Sequence, residues 1–283
     1  MARASTIKLT DHQKQVVMGT ILGDAAIGFS GGKNARVQMN HSCKQRHYVV
    51  WKYYELETVC SRRSFSIKKP DRGSYSKRKK LRIQTLVSPD LTIINNLIKV
   101  NGKKTVTKEY LELLEPLAIA VWWCDDGSIT GGYRQGTLCT HSMTKEEVLL
   151  IQQFFLEKWE INAKIMEVTP PNQKKSAKEI LDLSQENITV CDQKTLDPTQ
   201  EPRKKPYYAL NFHTANAEKL IELIIPFIPV KQMIYKTFLK FNDSKNNARW
   251  RSFLASHYVP RFFNSKEEFE VYMDTHWQNV RSR

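Results

Sequence analysis

The chain has 283 residues, enough for one large domain or two of ordinary size, and either can bury a real core. Its 44 Lys and Arg against 29 Asp and Glu give a formal net charge of +15 and a pI near 9.5, which points to a polyanion partner, nucleic acid first. A membrane partner is set aside, because the charge is not confined to one amphipathic helix and the most apolar run, Leu220 to Val230, is broken by Glu222, Pro226 and Pro229.

In chain order, residues 1–9 read as a basic, loosely ordered arm without the apolar core of a signal peptide. Thr10 or Asp11 can cap a helix running to about Ile27, with Val16, Val17, Thr20, Ile21 and Leu22 as its apolar face. Arg36 to Asn40 alternates cleanly as a strand, with Val37 and Met39 inward and Arg36, Gln38 and Asn40 on the other side. His47 to Glu57 is a helix whose Tyr48, Trp51 and Tyr54 suit packing on the back of a sheet. Two more alternating strands follow, presenting Ser64, Ser66 and Lys68, then Lys80, Arg82 and Gln84. Between Arg62 and Arg82 stand ten basic residues and one acid, Asp71, which favours phosphate contacts around the Asp71–Ser76 turn. Asp90 to Val100 is a helix, and residues 101–111 link the first unit, 1–100, to the second, 112–242.

The second unit opens with a helix from about Glu112 to Asp126, followed by a strand from Gly136 to Thr140. Thr144 and Glu147 form a capping box for a helix ending at Trp159. Ile161 to Val168 is a strand, and Tyr207 to His213 is its return strand, with Tyr207, Asn211 and His213 outward. Between them, about 169–206, a proline-rich polar stretch reads as an insertion at a hairpin tip. A helix from Ala215 to Phe227 closes the unit. Residues 243–283 form an extension in which Ser265 and Glu268 cap a helix with Phe269, Tyr272, Met273, His276 and Trp277 on one face. Five cysteines without a Cys-x-x-Cys pair indicate neither a zinc site nor a disulfide framework.

Two stretches organise the rest: Val17 to Ala25 and Ile119 to Gly127. Each is a short apolar helix with small residues four apart (Gly19 and Gly23, Ala120 and Cys124) and an acid at its C-terminal end. Small residues let two helix backbones approach closely, which would bring Asp24 and Asp126 side by side. Paired carboxylates at helix C-termini favour a hard divalent cation. Each stretch is followed by glycines, a strand, a His-Ser pair (His41-Ser42, His141-Ser142) and an amphipathic helix, so the chain reads as a duplication.

Both stretches resemble the LAGLIDADG motif of homing endonucleases, in degenerate form, over roughly residues 10–242. Leu22 and Cys124 stand where the consensus has its earlier Asp. The resemblance implies an α+β fold of two pseudo-symmetric αββαββα repeats, forming a DNA-binding saddle of antiparallel strands with the motif helices packed at the repeat interface. It implies a monomeric site-specific endonuclease that hydrolyses both strands of a long, pseudo-asymmetric duplex target with Mg2+ or Mn2+. Asp24 and Asp126 would hold metal, with the backbone carbonyls of Gly23 and Asp125 nearby. Lys104 and Lys236 would stand near the scissile phosphates. The DNA face would comprise Arg36, Gln38, Asn40, Ser64, Ser66, Lys68, Lys80, Arg82 and Gln84 in the first repeat. In the second it would comprise Arg134, Thr137, His141, Lys164, Tyr207 and Asn211, with His141 where relatives are expected to carry Gln. Some proteins on this scaffold are intron RNA maturases or non-cleaving DNA binders, and that alternative stays open here. A free-standing intron product is the simpler expectation than an intein, and the sequence does not separate an organelle from a bacterial cytoplasm.

Overall fold

The computed structural model describes residues 7–69, 79–168 and 206–281. The N-terminal arm up to residue 6, the Asp71–Ser76 turn and nearly all of the 169–206 insertion lie outside them. The first repeat runs α1 (Asp11–Leu22), β1 (Ala25–Phe29), β2 (Ala35–Ser42), α2 (Arg46–Glu55), β3 (Phe65–Lys68), β4 (Lys80–Gln84) and α3 (Pro89–Ile98). A two-residue hairpin, β5 (Lys99–Val100) and β6 (Lys103–Lys104), leads to α4 (Lys108–Glu112). The second repeat runs α5 (Pro116–Asp126), β7 (Gly127–Thr130), β8 (Gln135–Cys139), α6 (Lys145–Trp159), β9 (Lys164–Val168), β10 (Tyr207–Phe212) and α7 (Thr214–Ile224). Each repeat builds an antiparallel four-stranded sheet, in the orders β1-β2-β4-β3 and β7-β8-β10-β9. The α+β duplication expected from the sequence is therefore the observed architecture.

The strands keep their period of two. On β2, Ala35, Val37, Met39 and His41 are buried while Arg36, Gln38, Asn40 and Ser42 face outward to varying degrees. The register sets Asn40 opposite Arg82, Arg82 opposite Ser66, and Ser42 and Lys68 on either side of Lys80. Helices cover the other face, and the core runs continuously through both repeats.

Several boundaries differ from the sequence expectation. The first helix stops at Leu22, capped by Gly23, and Ala25–Phe29 is a strand paired with β2. The glycines at 23 and 28 bound a run too short to show its alternation. The expected helix from Glu112 to Asp126 begins instead at Pro116, which opens α5 at its first turn, where a missing N–H costs nothing, and the expected linker holds a short helix of its own, α4. The linker turns tightly at Asn101 and Gly102, both at positive φ. Helix α8 (Ser244–Phe262) was not foreseen. It pairs with α9 (Lys266–Arg281), and both pack on the second repeat, where Trp250, Tyr258, Phe269, Met273 and Trp277 join the core. Cys43, Cys60 and Cys124 are free thiols.

Candidate functional site

Helices α1 and α5 lie side by side and parallel, with Gly19 against Ala118 and Val121 and Gly23 against Asp125. A Cβ at Gly19 would stand 2.2 Å from the Ala118 carbonyl oxygen, so only glycine permits this approach. The residues facing the two glycines are thus one step round the helix from Ala120 and Cys124. Parallel packing brings both C-terminal ends to one place, and with them Asp24, Asp125 and Asp126.

The two ends are dressed alike. The Lys104 ammonium donates to the carbonyls of Ile21 and Leu22 at the end of α1. The Lys236 ammonium donates to Cys124 O at 2.7 Å and lies 3.3 Å from Asp125 O and 3.5 Å from Trp123 O at the end of α5. A cation at a helix C-terminus answers the negative end of the helix dipole. Lys236 is buried, and that burial lowers its pKa, opposed by Cys124 and by the carboxylates of Asp125, Asp126 and Asp24. Both lysines expected from the resemblance therefore stand at the helix ends.

Lys52, the Asp125 side chain and His41 complete the cluster; sequence reasoning gave Asp125 a main-chain carbonyl near the metal, His41 its place in a repeated His-Ser pair, and Lys52 no role. Lys52, fully buried on α2, donates to both oxygens of Asp125, at 2.8 and 2.9 Å. Asp125 Oδ2 lies 3.4 Å from the Asp24 backbone N–H, which donates to it. His41, buried on β2, places Nε2 3.3 Å from the Lys52 ammonium and Nδ1 3.5 Å from Asp24 Oδ2. An ammonium can only donate, so Nε2 accepts, and the ring proton sits on Nδ1, facing the Asp24 carboxylate. Lys52 carried no sequence signal beyond a lysine on the inner face of an aromatic helix.

Burial, followed by the Lys52 charge, lowers the His41 pKa to about 4. The folded value lies below the unfolded one of about 6.5, so the unfolded chain binds more protons between them. Stability is complete above about pH 6.5 and falls as the pH drops towards 4. Urea denaturation of metal-free protein should show an acid-side loss on the order of 3 kcal/mol from this group. His41→Gln should lack that share of the loss.

Asp24, His41 and Asp125 offer ligand atoms within 4.8 Å of one another. The Lys52 ammonium already occupies the Asp125 carboxylate, so a divalent ion sharing it would meet a buried positive charge. Asp126, the other acid expected to hold metal, is not part of this group among the described residues.

The first sheet presents Arg36, Ser66, Arg82 and Gln84, joined by Arg63, around an open pocket of about 390 Å³. Arg82 donates to Gln38 and, at 2.6 Å, to Gln84, so it ties two strands together. Asn40, Lys68 and Lys80 are exposed on the same sheet. Ser64 is a correction: it precedes β3, is buried, and its hydroxyl accepts from Ser61 N at 2.7 Å. In the second repeat Arg134, in the turn before β8, and Lys164 are exposed, and the His141 and Tyr207 rings meet at a tilt of 55° with centroids 4.1 Å apart. Thr137 and Asn211 are buried rather than outward, because they bond each other at 3.3 Å and Thr130 and Gln135 besides.

Residues 14–191 match the model of the LAGLIDADG DNA endonuclease family. Protein RecA of Mycolicibacterium flavescens is 28% identical over 152 residues, covering 49% of this chain and 34% of that protein, so the chain spans about a third of that relative's length. DNA endonuclease I-ChuI of Chlamydomonas applanata is 23% identical over 158 residues, 52% of this chain and 72% of that protein. Among solved structures, the homing endonuclease I-WcaI bound to its DNA recognition sequence superposes with a TM-score of 0.61 at 18% identity, covering 83% of this chain and 89% of that one, a likeness of fold. With the family model matching well over half of the sequence, the chain belongs to the LAGLIDADG DNA endonuclease family.

Proposed function

We propose that this chain is a monomeric, site-specific endonuclease that cuts both strands of duplex DNA with Mg2+ or Mn2+. The observation that carries this reading is the pair of helix ends, each closing on a carboxylate, Asp24 or Asp126, with a lysine on the carbonyls just before it. Two such ends suit two phosphodiester cuts, one on each strand. Divalent metal held by Asp24 and Asp126 would supply an activated water and neutralise charge at the phosphate. Lys104 and Lys236 fix the helix ends and add positive charge beside them. His41 stands with Nδ1 3.5 Å from the Asp24 carboxylate and lines its buried side. Arg36, Arg82, Gln38, Gln84 and Asn40 on the first sheet have the donor and acceptor sets that read guanine and adenine edges in a major groove. Arg134, Lys164 and Tyr207 are the corresponding proposal for the second sheet.

The deciding experiment is cleavage of a randomised duplex library with magnesium, with binding scored alongside. Specific double-strand cuts support the reading. Tight binding without cutting, transferable to structured intron RNA, would replace it with the maturase alternative. Binding to duplex should weaken by at least about a hundredfold between about 50 and about 200 mM salt, because phosphate contacts release counterions. Arg82→Ala should cost about 1–3 kcal/mol of binding to the preferred site and relax its sequence preference, measured by competition against scrambled duplex.

A further inference from the structure

Lys52 and the side chain of Asp125 have no exposed surface. Their ion pair crosses the repeat interface, from α2 of the first repeat to α5 of the second. Tyr48 shields it: the Lys52 ammonium lies 4.4 Å from the ring centroid, and the Tyr48 hydroxyl donates to Val121 O at 3.1 Å. Burying two charges costs more desolvation than packing apolar groups of the same size. Stability is therefore a poor reason for the pair, and the geometry it fixes is the better one.

That geometry is one-sided. The position of Asp125 is occupied in the first motif by Gly23, ahead of Asp24 as Asp125 is ahead of Asp126. Ala25 pairs with Met39 as Gly127 pairs with Leu138, and Gln45 caps α2 as Thr144 caps α6, so Lys52 corresponds to Ile151 on α6, a buried apolar residue. One half of the duplication thus has the pair and the other does not. The pair reaches Asp24 by two routes. Asp125 Oδ2 receives the Asp24 N–H, and Lys52 holds His41, which faces the Asp24 carboxylate.

We propose that Lys52 and Asp125 are a positioning pair for Asp24, so that the two half-sites are unequal. Cutting of the strand served by Asp24 depends on the pair, and cutting of the strand served by Asp126 does not. The strand assignment rests on the endonuclease reading; the positioning of Asp24 does not.

The test is Lys52→Met combined with Asp125→Asn, which removes both charges and keeps the side-chain volumes close. End-labelled duplex identifies each strand, and Asp24→Asn and Asp126→Asn assign the strands. The double variant should cut the Asp24 strand about ten- to a hundredfold more slowly, as expected for a misplaced group. The Asp126 strand should be slowed at least about tenfold less than the Asp24 strand, so nicked duplex accumulates. Equal slowing of both strands, or of neither, would overturn the proposal. If the wild type cuts no duplex, the endonuclease reading fails and amide NMR of metal-free protein decides instead. The Asp24 amide and the His41 ring should then shift between wild type and variant; unmoved signals overturn the proposal. Should the double variant not fold, Lys52→Arg takes its place, with the same one-strand slowing and the same criteria.

Discussion

Asp24→Asn is expected to abolish double-strand cleavage, and Asp126→Asn to do the same, each leaving at most a nick on one strand. Asparagine keeps the shape and one acceptor oxygen but loses the charge that would hold a divalent cation. The loss should be several kcal/mol of barrier, about a thousandfold or more in rate. Binding to duplex should persist in both variants, because the basic and polar strand faces are untouched. Neither variant should unfold: both acids are only half-buried, at the ends of helices rather than within the packed seam. The check is a time course on supercoiled plasmid bearing the selected site, which separates intact, nicked and linear forms. Linear product from either variant at the wild-type rate would remove that acid from the site.

Gly19→Ala is expected to destabilise the fold strongly, at the seam between the two motif helices. The new Cβ would lie 2.2 Å from a main-chain oxygen and 2.9 Å from Val121 Cβ. A backbone oxygen cannot swing aside as a lysine tip would. The helices would have to separate, and α1 and α5 are held from several sides. Tyr110 donates to Met18 O at 2.8 Å, Gln15 donates to Leu113 O at 2.9 Å, and its carbonyl oxygen accepts from Glu115 N at 2.8 Å. Overpacking of this kind costs about 3 kcal/mol, at the upper end of its usual range. For a chain of this size that lowers the thermal midpoint by roughly 5–10 °C. Gly32→Ala is the control, since nothing stands within 4 Å of a Cβ there.

The motif helices were legible in the sequence because glycine, apolar residues and a terminal acid occur twice in the same order. The sheet faces were legible where alternation was long enough, as on β2. The strands β1 and β7 were not, because each is too short to show its own period. Thr137 and Asn211 were misplaced for another reason. Alternation says which side of a sheet a residue faces, not whether polar neighbours on that side will close over it. The Lys52–Asp125 pair was invisible for the same kind of cause. A buried ion pair between residues 73 apart leaves no local pattern, and the run of aromatics around Lys52 only announces a buried helix. Helix α8, rich in polar residues and containing Pro260, offers no clean apolar stripe, and it forms because Trp250, Leu254 and Tyr258 find the second repeat to pack against.

The short hairpin between the repeats has a consequence for anyone exchanging halves between relatives. It is not a tether. Lys104 in it belongs to the end of α1, Thr107 donates to Leu97 O at 3.0 Å, and Tyr110 just beyond reaches back to Met18. Val106 N, by contrast, donates to Glu147 on α6 at 2.7 Å. A chimera joined at residue 101 would separate α1 from the lysine that caps it, whereas a junction after Tyr110 carries lysine and tyrosine along with their helix. Of the linker's own hydrogen bonds, the second junction then leaves one to match across the graft, that to the acid at 147, beside the α1–α5 seam and the Lys52–Asp125 pair that either junction must match. Recombination points in this molecule are therefore set by hydrogen bonds rather than by where the repeats seem to divide.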